Sequence, residues 1–298
     1  EMQRSLVGSE MCIRDSDKVI LVYEPNDDGT ADYYLSDFSR ITPLVMLCAF
    51  FFLLILIFGR KKGLDTIISL VFTCLAVFIN LIPAILNGQN IYAWSIITCV
   101  YITVMTLMLI EGLNVKCFAA GVGCVGGVLV AGALELILRD QIKMTGVLDS
   151  EWLYLYNLNP ENPIDLKAII FAMIIVGAVG AVMDVAMSIA SSLCEINEKS
   201  PDLPARELLK SGLTIGRDIM GTMANTLVLA YIGSALCCML LMVTYSSNVG
   251  QILNREQIAV EILQALAGSI GILAALPLTA LTSVLCLKPL NRIKRKGH

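Results

Sequence analysis

Several stretches of about twenty apolar residues, each nearly free of charge, constrain this chain more than anything else in it. A bilayer core is about 30 Å thick, and a helix needs roughly 20 apolar residues to cross it. Lipid offers no partners for peptide groups, so each such stretch must satisfy its own backbone as a helix. Seven stretches qualify: 43–59, 64–86, 91–110, 117–138, 166–193, 218–243 and 257–287. Composition agrees. Apolar residues make up 57% and charged residues 15%, against about 25% charged in soluble domains. The sequence therefore predicts an all-α integral membrane bundle of about seven helices over 41–288, with a short β-like N-terminal stub and a basic tail over 289–298.

The connections carry turn and boundary signals. Arg60-Lys61-Lys62 stops the first stretch, and Asn87-Gly88-Gln89-Asn90 makes a tight turn. The connection 139–165 holds Trp152, Tyr154 and Tyr156, residues suited to a membrane interface. The polar segment 195–217 predicts a short surface helix after Pro204. Asn80 and Pro83 predict a local break in the second stretch, and Pro277 a kink in the last.

Residues 17–40 are polar and acidic. Val19 to Tyr23 is a strand-like run, and Asn26-Asp27-Asp28-Gly29 is a turn signal. Together they predict the last hairpin of an extracytoplasmic unit. Ser5 to Ser16 resembles a translated sequencing adaptor, so residues 1–16 are expected to be non-native and are set aside from the fold.

Charge gives an orientation. With seven spans, one side collects Arg60, Lys61, Lys62, Lys116, Lys199, Arg206, Lys210, Arg217, Lys288, Arg292, Lys294, Arg295 and Lys296. The other side has Lys18, Arg40, Arg139, Lys143, Lys167 and Arg255. The positive-inside rule makes the richer side cytoplasmic. The N-terminal side is then extracytoplasmic and the C-terminus cytoplasmic.

Several functions are disfavoured. The cysteines lie in or beside apolar blocks and read as packing residues. The single histidine, His298, is the last residue, so no metal site or histidine-based triad is expected. There is no phosphate-binding loop and no His-Glu-x-x-His. No catalytic residues, cofactor or nucleic-acid partner are expected, and the chain reads as a non-enzyme. The expected partners are the lipid bilayer, an ion or small polar solute, and a second copy or second membrane subunit.

Polar residues inside the membrane are the candidates for function. A carboxylate at bilayer depth costs about 2.5–3.5 kcal/mol on insertion scales, so Asp184 should face protein or water. Asp184, Ser188, Ser191 and Glu195 recur on one helical face. Gly177 and Gly180 leave room for a neighbouring helix. The next stretch shows a parallel pattern. Asp218, Gly221, Thr222 and Asn225 share a face, with Gly216 and Arg217 just before. The expectation is that Asp184, Ser188, Thr222 and Asn225 bind an ion or solute, while Arg217, Asp218 and Glu195 gate or pair at the cytoplasmic mouth. The alternative is a hydrogen-bonded helix seam with no ligand. Glu135 and Glu261 could line an outer opening. Gly123-x-x-x-Gly127 predicts close helix packing.

The stretch Gly177-Ala178-Val179-Gly180-Ala181-Val182-Met183-Asp184-Val185-Ala186-Met187-Ser188 resembles the YibE/YibF-like family of bacterial multi-pass membrane proteins. Ile215-Gly216-Arg217-Asp218-Ile219-Met220-Gly221-Thr222-Met223-Ala224-Asn225 strengthens the resemblance. It implies a bacterial inner membrane and an N-terminally truncated chain, since fuller members carry a further span and a larger extracytoplasmic domain. It supplies no substrate and no catalytic set. The expected function is a transport-related permease or channel-like component for an ion or small polar solute. The alternative is a non-transporting scaffold or accessory subunit.

Overall fold

The computed structural model describes residues 18–25, 31–157, 163–245 and 249–296. The predicted turn at Asn26 to Gly29 and the segment 1–16 lie outside them. The chain divides into two compact units, Glu1–Ile67 and Ile68–His298. Among the described residues six helices are long and apolar enough to cross a membrane and one small hairpin is formed, so the chain is an all-α membrane protein.

In the first unit, β1 (Val19–Pro25) pairs antiparallel with β2 (Ala31–Phe38), with a bulge between Ile20 and Leu21. Asp37 accepts the Phe38 N–H at 2.8 Å and pairs with Arg40 at 2.9 Å. The backbone N–H first, then the guanidinium, hold its carboxyl below the usual range.

Helix α1 (Ile41–Leu75) carries the first predicted stretch and the first half of the second, and with the residues that follow to Leu86 it forms one candidate span of 46 residues, Ile41–Leu86. Arg60 divides it with φ 50 and ψ −123. This is the first corner of a type II′ turn, a place glycine normally takes. A Cβ on Gly63 would run into the Ile55 carbonyl, eight residues back. Eight residues of straight helix span about 12 Å, so the chain doubles back at Arg60. Gly63→Leu is therefore expected to cost about 1–3 kcal/mol through overpacking. Arg60→Gly, which relieves the backbone, should be neutral or stabilising. Thermal unfolding of the two variants in detergent checks the contrast.

In the second unit, a π-helical segment, Ala76–Leu81, leads into α2 (Ile82–Leu86), with Pro83 in its first turn. Proline has no N–H and its ring crowds the carbonyl four residues back. The ladder widens just before it. Helix α3 (Ile91–Glu111) starts at Asn90, whose side chain accepts the Ala93 N–H. Helix α4 (Val115–Gln141) follows, then the short α5 (Ser150–Tyr156).

Helix α6 (Leu166–Lys199) is capped by Asp165, which accepts from the N–H groups of Lys167 and Ala168. Helix α7 (Ala205–Tyr245) fuses the predicted surface helix with the predicted sixth span in one run of 41 residues. No proline interrupts it after Pro204, and glycines at 212, 216, 221 and 233 weaken a helix without breaking it. The short α8 (Val249–Leu253) precedes α9 (Glu256–Lys296), which runs through Pro277 and Pro289.

Helix α6 lies at the centre, against α3, α4, α7 and α9. The seam between α4 and α9 is the most extensive. There a Cβ on Gly127 would sit 2.6 Å from the Gly271 carbonyl and 2.8 Å from Val182 of α6. Only glycine lets these backbones approach so closely. Gly123 packs in the same way against Thr279. At one end of the unit the Lys288 ammonium donates to the carbonyl of Leu203. At the other, Glu256 holds the loop after α4. It accepts the Thr145 N–H at 2.7 Å, the Thr145 hydroxyl at 2.6 Å and the Gly146 N–H at 2.6 Å.

Candidate functional site

The site builds from α6. Its buried side presents Ile170, Ile174, Ala178, Val182, Val185, Ile189 and Leu193 to the core. The opposite side carries Gly177, Gly180, Asp184, Ser188, Ser191 and Glu195. Asp184 is exposed between buried neighbours Met183 and Val185. It lies about 27 Å from the start of α6 and about 22 Å from its end at 1.5 Å per residue. That is near the middle of a helix of 34 residues. Ser188 donates its hydroxyl to the Asp184 backbone carbonyl at 2.8 Å. No hydrogen bond or ion pair reaches the Asp184 carboxylate among the described residues.

Helix α7 packs through another face than the one its polar stripe occupies. Gly212 meets Leu193 of α6, and Gly216 meets Leu276 of α9. Leu227 packs against Gly268 of α9, and the Tyr231 hydroxyl covers Gly177 of α6. Asp218, Gly221, Thr222 and Asn225 are exposed, as is Arg217. Two residues span about 200° of helix, so Asn225 points away from packed Met223 and Leu227. Gly221 has nothing within 4 Å, and neither does Gly180. Thr222 donates to its own helix, at the Ile219 carbonyl, 2.8 Å away.

The structure thus groups Asp184 with Ser188 on α6. It joins none of Thr222, Asn225, Arg217 or Asp218 to Asp184 by a hydrogen bond or ion pair among the described residues. Glu195 pairs with Lys199 at 2.7 Å, both exposed. The packed face of α7 had a readable signal: Leu208, Gly212 and Gly216 recur every four residues, ahead of Leu227 and Tyr231 at the same spacing.

A second polar cluster went unread in the sequence. Arg139, at the end of α4, donates to the Tyr92 hydroxyl at 2.5 Å and lies 5.4 Å over its ring. Tyr92 also faces Asp165 at 3.4 Å and packs on Phe171 with ring centroids 5.0 Å apart. A cavity of about 420 Å³ opens here, lined by Gln89, Asn90, Tyr92, Pro163 and Asp165. The spacing of Glu135 and Arg139, one helical turn apart, was the available hint.

Among the described residues no group of three or more metal-ligating side chains converges. The described cysteines are free thiols. A family model described as YibE/F-like protein matches residues 47–289. No curated protein and no solved structure matches the chain.

Proposed function

The chain belongs to the YibE/F-like family, and from that premise we propose that it is a transport-related multi-pass membrane protein: a permease or channel-like component for an ion or small polar solute, and not an enzyme. One observation carries this reading. Asp184 stands near the middle of α6, exposed and without a partner among the described residues, after a run of sixteen residues, 168–183, that holds no charged or hydrogen-bonding side chain. A carboxylate at that depth is stable only if it meets water, a solute or another polar group. Ser188 lies one turn further along the same face. The proposed setting is a bacterial inner membrane with the C-terminus cytoplasmic, from the Lys and Arg asymmetry.

The test compares wild-type protein and Asp184→Asn in proteoliposomes. Ion and proton flux should fall about tenfold or more in the variant, as for a loss of ~1.4 kcal/mol in binding or barrier. Equal flux in the two proteins would remove Asp184 from the mechanism.

A second reading has its own support. Only 11% of the apolar window of α7 is buried, and the stripe Asp218, Gly221, Thr222 and Asn225 faces outward. A second copy or another membrane subunit against this stripe would make the protein a non-transporting scaffold or accessory subunit. In that case Asp184→Asn lowers stability or oligomerisation while both proteins stay at background flux.

A further inference from the structure

Glu135 on α4 is completely buried, at 0% exposure. Both of its carboxylate oxygens lack a hydrogen-bond partner among the described residues. Removing an ionised carboxyl from water without donors or a counter-charge costs several kcal/mol. The neighbouring guanidinium does not supply the contact. Arg139 gives one donor to Tyr92, and its Nε, 3.9 Å from Asp140, has no hydrogen bond.

The charged groups near Glu135 are Arg139, Asp140 and Asp165. They set three carboxyls, Glu135 included, against one guanidinium. Tyr92 faces the group from α3, and Asp165 from the start of α6. On α9, Glu261 lies beside Tyr231 and Cys238 of α7 instead. The surroundings of Glu135 are therefore short of positive charge. Tyr92 and Asp165 of this cluster line the polar cavity, with Glu135 behind them and outside its lining.

We propose that Glu135 is a cation-binding carboxyl loaded from the Tyr92–Asp165 end of the bundle, its occupant a proton or a sodium ion. The approach runs from the cavity wall at Tyr92, which is bonded to Arg139 one turn along α4 from Glu135. Arg139, held by Tyr92 one turn along α4, leaves the Glu135 carboxyl without a hydrogen-bonded counter-charge. The site is separate from Asp184 and lies on a different helix. Occupancy can be read without any flux measurement, so this inference and the transport reading can fail independently.

A hydrophobic carbodiimide provides the test on the full chain in proteoliposomes. The neutral acid adds its O–H across a C=N bond of the reagent, and the O-acylisourea formed rearranges to a stable N-acylurea. No atoms leave, so peptide mass locates the adduct in wild-type protein without relying on a variant. The expected result is an adduct on Glu135 that is absent at that position in Glu135→Gln. For a proton site the yield falls about tenfold per pH unit on the alkaline side. For a sodium site, sodium chloride also suppresses labelling relative to choline chloride at constant pH. The carboxyl stretch in infrared difference spectra, on a pH step or sodium addition, gives a second measurement. The proposal is overturned by an adduct yield insensitive to both pH and sodium. It is equally overturned if Glu135 gives neither an adduct nor an infrared change.

Discussion

Gly127→Leu is expected to abolish recovery of folded protein. The first atom of the new side chain meets the Gly271 carbonyl at 2.6 Å, Val182 at 2.8 Å and Ala275 at 2.9 Å. One of these is backbone, and Val182 is fully buried in the central helix. Overpacking in cores costs about 1–3 kcal/mol where side chains can yield. Here α4 and α9 must separate along their seam, so about 3 kcal/mol or more is expected. Helices in lipid associate through close packing more than through the hydrophobic effect, which leaves little to offset the gap. Gly180→Leu is the matched control. Nothing lies within 4 Å of its Cβ, and its unfolding temperature should stay near wild type. Size-exclusion profiles and thermal unfolding in detergent separate the two. A folded, monodisperse Gly127→Leu protein with unchanged melting would refute the account of the seam.

Glu256→Ala is the second large effect. The carboxylate at the start of α9 accepts two backbone N–H groups and one hydroxyl from Thr145 and Gly146. The loop it holds has two residues in the left-handed region, Lys143 at φ 55 and Gly146 at φ 91. Hydrogen bonds to charged groups are worth about 1.5–3 kcal/mol. Water can replace part of the set at the exposed Thr145, so a net loss of about 2 kcal/mol is expected. Proteolysis between 139 and 149 should accelerate before global unfolding does. Glu256→Gln should recover part of the loss, because its amide oxygen still accepts from backbone. Unchanged cleavage in Glu256→Ala would show that the loop needs no clamp.

Apolar length and boundary chemistry were legible in the sequence because they are local. The Arg60-Lys61-Lys62 stop marks where the chain doubles back, Pro83 marks the π-helical segment, and the turn Asn87 to Asn90 falls between α2 and α3. The packing of α7 was less legible. Both of its sides carry small or polar residues at helical spacing, Gly212 and Gly216 on one and Asp218, Gly221 and Asn225 on the other. Which side packs depends on what Leu193 and Leu276 present across the gap, and that is not a property of α7 alone. The Tyr92, Arg139 and Asp165 cluster was hidden for the same reason: its members come from three elements and meet only once α3, α4 and α6 align. Asp184 itself was easy to find, because a single carboxylate among so many aliphatic neighbours stands out. That no described residue pairs with its carboxylate is a property of how the helices pack around α6.

The 41 unbroken residues of α7 have a mechanical consequence. At 1.5 Å per residue the rod measures about 61 Å, roughly twice the thickness of the oily layer it crosses. Much of it must stand in water or lean steeply. Any force on the projecting part, near Glu207 and Lys210, is carried as leverage to Tyr231 where it touches Gly177, so a pull at the surface can shift the helix beside the central one without melting a single turn.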